Sequence, residues 1–145
     1  MVGTLSDAMR GADVFVGVSA PNIVSEEDVA SMAEGSIVFA MANPDPEIDP
    51  DIAARHAAVV ATGRSDFANQ INNVLVFPGV FRGLIDSGVH RVSTDVLLAA
   101  AQALADVVHE DERNATYIVP SVFNPEVSTV VAEAVKAAVA RRDSE

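Results

Sequence analysis

Three short apolar runs constrain this chain more than any other feature. They are Ala12-Asp-Val-Phe-Val-Gly-Val-Ser19, Ser36-Ile-Val-Phe-Ala-Met-Ala42 and Ala57-Ala-Val-Val-Ala-Thr62, apolar on both alternating faces apart from Asp13. Strands covered by helices on both sides read this way. Between them lie helix-like segments. Thr4 to Gly11 opens on an N-cap residue and closes on a glycine suited to a helix C-terminus. Ser25-Glu-Glu-Asp28 offers a capping box, with acids on the positive end of the helix dipole and Val29, Met32 and Ala33 as its buried stripe, before Gly35. Asp49-Pro50 starts a short helix running to about His56, with proline in the favoured first turn. Such alternation predicts right-handed crossovers and a parallel sheet, hence an α/β fold.

The second half changes character. Phe67 to Phe77 is polar first and apolar afterwards, and Pro78 disfavours a helical Phe77 without excluding a kinked helix. Helices are expected over Val80–Asp86, from Thr94 to about Glu110 with Ser93 or Thr94 as cap, and from about Pro125 to Arg141, where Arg141 and Arg142 face the negative helix end. No repeat, low-complexity tract or linker interrupts residues 1–145, so one domain with a helix-rich extension from about residue 79 is expected.

Half of the 145 residues are hydrophobic, enough to form a core and to exclude disorder as the default state. A formal net charge of −12 would repel nucleic acid and anionic membranes. The absence of cysteine removes disulfides, thiolate zinc sites and cysteine nucleophiles together. The first ten residues carry Asp7 and no long apolar run, and no stretch approaches the roughly 20 apolar residues of a membrane span, so a soluble, cytoplasmic protein is expected.

Ligands of open parallel sheets bind outside the carboxyl ends of the strands. Here those ends are Gly17-Val-Ser-Ala-Pro21, Asn43-Pro44 and Thr62-Gly-Arg-Ser-Asp66. Gly17 and Gly63 would let a bulky ligand approach the backbone, Ser19 and Thr62 supply hydroxyls, and Asn43 a carboxamide. Turn formation explains each of these residues singly; their coincidence at three strand ends suits a nucleotide's sugar and phosphates. The carboxamides Asn69, Gln70, Asn72 and Asn73 could hold a small carboxylate or a nicotinamide amide, or could equally cap and turn. Arg64 is expected to pair on the surface with Asp66 or Glu47. His56, His90 and His109 show no metal-ligand spacing and are read as structural or solvent-facing. No Gly-x-Gly-x-x-Gly turn, P-loop or Gly-x-Ser-x-Gly elbow occurs.

Taken together, Ala12 to Pro21, Ile37 to Pro44 with Pro46-Glu47, Val60 to Phe67, and Asn69-Gln-Ile-Asn-Asn-Val-Leu-Val-Phe-Pro-Gly79 closely resemble the prokaryotic malic enzymes, a likeness running from Gly3 to about Ala140. The resemblance implies the C-terminal half of an NAD(P)-binding domain: an incomplete Rossmann-like fold of about three parallel strands with flanking helices. It implies oxidative decarboxylation of malate to pyruvate and carbon dioxide with NAD or NADP, a Mg or Mn ion acting as Lewis acid in the full-length parent. By position, Ser19 and Ala20 resemble the loop along the cofactor's diphosphate and ribose, Asn43 resembles the asparagine beside the nicotinamide ribose and substrate, and Asn73, with Asn72, resembles the contact to malate. The family's catalytic tyrosine and lysine, its metal ligands and its glycine-rich turn would belong ahead of Met1; Tyr117 and Lys136 do not match them. The expectation is therefore a chain without catalytic or metal-binding residues of its own, completed by a missing N-terminal half or companion chain and homo-oligomeric in its whole form. The alternative is a non-catalytic nucleotide-binding or regulatory module.

Overall fold

A computed structural model describes residues 3–89 and 91–142, with the Arg142 side chain left aside. The expectations for His90 and for Arg142 at a helix end lie outside the described side chains. The described residues gather into two compact units, one formed by 3–71 with 114–116 and the other by 72–89, 91–113 and 117–142.

The first unit begins with helix α1 (Leu5–Met9), capped reciprocally by Thr4 and Asp7. Strand β1 (Val14–Gly17) leads to α2 (Glu26–Ala30), where Ser25 and Asp28 form the expected capping box. Strand β2 (Ile37–Ala40), helix α3 (Pro50–Ala53) and strand β3 (Val59–Thr62) follow. The strands lie in the order β1-β2-β3, all parallel, with Val14 beside Ile37 and Ile37 beside Val59. This is the expected sheet.

Register decides which side chains share a face. Phe15, Val38 and Val60 stand in one row, and Met9 of α1, Val29 of α2, and Ile52 and Ala53 of α3 pack against them. The opposite face carries Val14 and Val16, and these remain 49% and 56% exposed. The two-sided cover expected for the first apolar run is thus one-sided at β1. The physical reason is position: β1 ends the sheet, pairs only with β2 among the described strands, and takes its apolar cover from one helical layer.

The second unit is helical. Its backbone makes a 3-10 turn at Asn73–Leu75, then α4 (Phe77–Asp86), α5 (Thr94–Asp106) and α6 (Val127–Arg142). Pro78 falls in the first turn of α4, where its missing N–H leaves no helical bond unmade, so the helix starts at Phe77 and not after the proline. Helix α5 ends a turn earlier than composition suggested, and Ser93 supplies its cap. Both α4 and α5 pack along α6. The α4–α6 contact depends on two glycines one turn apart. A Cβ on Gly79 would lie 2.7 Å from the Ser128 carbonyl and from Val131 Cβ; one on Gly83 would lie 2.7 Å from the Ala132 carbonyl and Val135 Cβ. Valines Val131 and Val135, both fully buried, fill the grooves these glycines leave.

Candidate functional site

The carboxyl ends of β1 and β2 are tied together by one buried acid. Glu47 follows the prolines at 44 and 46 and is 0% exposed. Its Oε1 accepts from the Ser19 backbone N–H at 2.8 Å and from the Ser19 hydroxyl at 3.1 Å; its Oε2 accepts from the Ala42 N–H at 3.0 Å. Main-chain bonds extend the tie, with Asn22 N donating to the Pro46 carbonyl and Val24 N to the Glu47 carbonyl. None of the described basic side chains forms an ion pair with this carboxylate. Burial raises its pKa most strongly. The bonds from the N–H groups of Ser19, Ala42 and Glu47 itself and from the Ser19 hydroxyl together outweigh burial, holding the carboxyl below its ordinary range. A charged carboxylate therefore sits beneath the rim at neutral pH.

Sequence reasoning missed the burial of Glu47 at this rim, having placed it on the surface as a possible partner for Arg64. Of the two expected partners Arg64 takes Asp66, donating through Nε at 2.9 Å, and it also approaches Asp45 at 3.9 Å and lies over the Phe67 ring. Gly17 is also reassigned. A side chain there would collide with the Glu47 carboxylate, so its missing Cβ admits that acid and not a ligand. Sequence offers only an acid set between Pro46 and the apolar Ile48, which does not by itself separate burial from exposure.

The expected cofactor residues stand at this rim. Ser19 and Ala20 are exposed in the loop after β1. Asn43 is exposed one residue beyond Ala42, its peptide bond to Pro44 is cis, and its carboxamide makes no hydrogen bond to a described residue. Thr62 does not offer its hydroxyl as expected. It is buried, and its oxygen faces the Arg64 N–H at 3.5 Å.

The structure divides the carboxamide cluster by role. Asn69 is buried with a φ of 54°, and its amide donates to the Val60 carbonyl at 3.0 Å and the Ala115 carbonyl at 2.8 Å. Gln70 donates to the Gly63 carbonyl at 3.3 Å. These two hold the chain after β3. Asn72 and Asn73 belong to the second unit, both exposed. Asn72 caps the Val74 N–H at 3.0 Å, whereas the Asn73 side chain makes no bond to a described residue.

A cavity of about 360 Å³ in the first unit is lined by Pro50, Ala54, Thr62, Phe67, Asn69 and Ala115, among others. Alanine is the commonest residue of its wall, and Ser19, Ala20 and Asn43 do not line it. Among the described residues no three His, Asp or Glu side chains gather to hold a metal ion, and no helix is long and apolar enough to cross a membrane.

Comparison with known proteins agrees with the parallel sheet. The chain is 56% identical to the NAD-dependent malic enzyme of Geobacillus stearothermophilus, over 98% of this chain and 31% of that one. It is 44% identical to the NADP-dependent malic enzyme of Halomonas elongata, over 96% of this chain and 38% of that one. The solved malic enzyme of Pyrococcus horikoshii superposes with a TM-score of 0.91 at 39% identity, over 97% of this chain and 33% of that one. The chain thus spans about a third of the length of these relatives. A family model described as "Malic enzyme, NAD binding domain" matches residues 4–140, and the chain belongs to that family.

Proposed function

We propose that this chain contributes cofactor and substrate contacts to a malic enzyme, which oxidises and decarboxylates malate to pyruvate and carbon dioxide with NAD or NADP. The observation that carries this reading is the rim itself: an exposed carboxamide at Asn43 beside a loop, Ser19-Ala20, whose backbone is held by Glu47. A strand-end rim of this kind suits the nicotinamide and ribose of a dinucleotide. Bound there, the dinucleotide would supply the hydride acceptor. Ser19, Ala20 and Asn43 would orient it, and Asn73, with Asn72, would meet a malate carboxylate through neutral donors.

The described side chains do not fit a divalent cation, so no metal-assisted step is assigned to them. The isolated chain is accordingly expected to bind without turning over, and a companion segment is expected to complete it in a cytoplasmic homo-oligomer. Calorimetric titration with NAD and NADP, followed by a malate turnover assay with Mn, tests the reading. Saturable dinucleotide binding without pyruvate formation is the expected result. Robust turnover by the pure chain would overturn the assignment of catalysis elsewhere, and absence of dinucleotide binding would overturn the cofactor site.

A further inference from the structure

The protons of Ser19 are already committed. Both its N–H and its hydroxyl point to the same Glu47 oxygen, at 2.8 and 3.1 Å. An ionised carboxylate accepts only, so the hydroxyl must be the donor in that contact, leaving the Oγ lone pairs as the side chain's remaining hydrogen-bonding capacity. Ser19 is exposed, so those lone pairs are open to a ligand. The negative charge behind it is buried and has no ion-pair partner among the described residues.

We infer that Glu47 is a positioning residue that makes the Ser19 corner of the rim an acceptor, so that it selects a hydrogen-bond donor of the bound dinucleotide and rejects phosphate. This deepens the cofactor reading above and rests on it. A phosphate oxygen offers no proton and would face an acceptor backed by a like charge, which is unfavourable twice over. A ribose hydroxyl or the carboxamide NH2 of nicotinamide donates and fits. The diphosphate contact that the resemblance implied for this loop therefore moves away from Ser19, which instead meets the sugar or the nicotinamide. Because the same carboxylate holds Ala42 through Oε2, the residue before Asn43, one side chain sets both the acceptor and the neighbouring carboxamide in place.

The test uses the 145-residue chain, first without ligand. In 1H–15N spectra the Ser19 and Ala42 amide protons should shift together as pH falls, tracking one carboxyl that titrates below the ordinary glutamate range. In Glu47→Gln that common titration should vanish. Amides that do not move together would overturn the Glu47 tie whatever the ligand result. Second, binding of NAD, nicotinamide riboside and inorganic pyrophosphate is compared in wild type, Ser19→Ala and Ser19→Thr. Ser19 is exposed, so its variants should fold. Ser19→Ala should weaken NAD and nicotinamide riboside alike by about tenfold, the loss of one hydrogen bond, and leave pyrophosphate unchanged, while Ser19→Thr retains binding. A pyrophosphate affinity that falls with Ser19→Ala would overturn the donor preference. A wild-type chain that binds neither NAD nor NADP would instead sink the cofactor reading, an outcome the ligand-free titration keeps separate from failure of the tie.

Discussion

The two units are held together by opposite means. In the first, helices of four or five residues and four-residue strands are joined by loops, and the loops are fastened by polar groups: two capping boxes, the Asn69 amide and the buried Glu47 carboxylate. In the second, three longer helices meet through valine, alanine and glycine, and the buried polar side chains among the described residues, Ser36, Glu47, Thr62 and Asn69, all belong to the first unit. The difference separates two tasks. Directed hydrogen bonds fix backbone N–H and carbonyl groups at chosen positions, which a ligand rim requires. Close packing of small residues fixes helix separation without aiming any polar group. The glycines, by contrast, serve two purposes in both units. Gly79 and Gly83, like Gly17, are needed because a neighbour occupies the space of a Cβ, whereas Gly11, Gly35 and Gly88 have open space around them and are needed for φ values of 71°, 77° and 67°.

The largest expected effect falls on the packed unit. Gly83→Val would drive a branched side chain into the Ala132 carbonyl and Val135, and forcing atoms into a close-packed contact costs about 3 kcal/mol or more. Thermal unfolding should show the loss, and circular dichroism a reduced helix content. A variant as stable as wild type would mean that α4 and α6 slide apart readily, so that small-residue packing is not what holds them.

Next in size is Glu47→Gln, which keeps volume but presents an NH2 where either Ser19 or Ala42 donates, leaving a buried donor unsatisfied at a cost of about 2 kcal/mol. The pH dependence follows from the lowered pKa. A carboxyl with a folded pKa below its unfolded value, about 4.3 for a free glutamate, stabilises the fold fully above that unfolded value. The contribution fades as pH falls through the lowered folded pKa. The stability gap between wild type and Glu47→Gln, measured by urea unfolding, should therefore be widest near neutral pH and close in acid. A gap constant across that range would show the carboxylate's charge to be irrelevant, removing the contrast between the two units.

Much of this division could be read in the sequence, and the remainder has definable reasons for being hidden. The three apolar runs located all three strands because a parallel strand's signal is local. Ser25 with Asp28 foretold a capping box because its partners lie three residues apart. Glu47 was hidden because its donors, Ser19 and Ala42, lie 28 and five residues away, and an acid's burial depends on such partners, not on its neighbours in sequence. Asn69 and Asn73 look alike in a carboxamide-rich stretch; only the positive φ and burial of the first separate a structural amide from a free one. The apolar pattern of the first run says that both faces suit cover, and cannot say that the cover comes from these helices.

A smaller effect sharpens the contrast between the glycines. Gly35→Ala meets no atom within 4 Å, so its cost should come from the left-handed backbone alone, about 1 kcal/mol. Equilibrium unfolding should find that value similar for Gly35→Ala and Gly11→Ala, which share the same cause. A cost as large as that of Gly83→Val would mean that these two turns are governed by sterics and not by the backbone conformation.

The smallest effect on stability is expected where the first unit resembles neither description. Val14 and Val16 are about half exposed on the uncovered face of β1, at the sheet's open end. Replacing both with threonine preserves β-branching and strand preference while making the face polar. With no tight packing to lose, unfolding free energy should change by no more than about 0.5 kcal/mol. Association is where the change should appear, because an apolar, unpaired edge favours contact between molecules. Sedimentation velocity across a concentration series should show less self-association in the double variant than in wild type. A large loss of stability that grows with protein concentration would instead identify the face as buried between copies, and β1 would then belong with the packed helices of the second unit rather than in contrast to them.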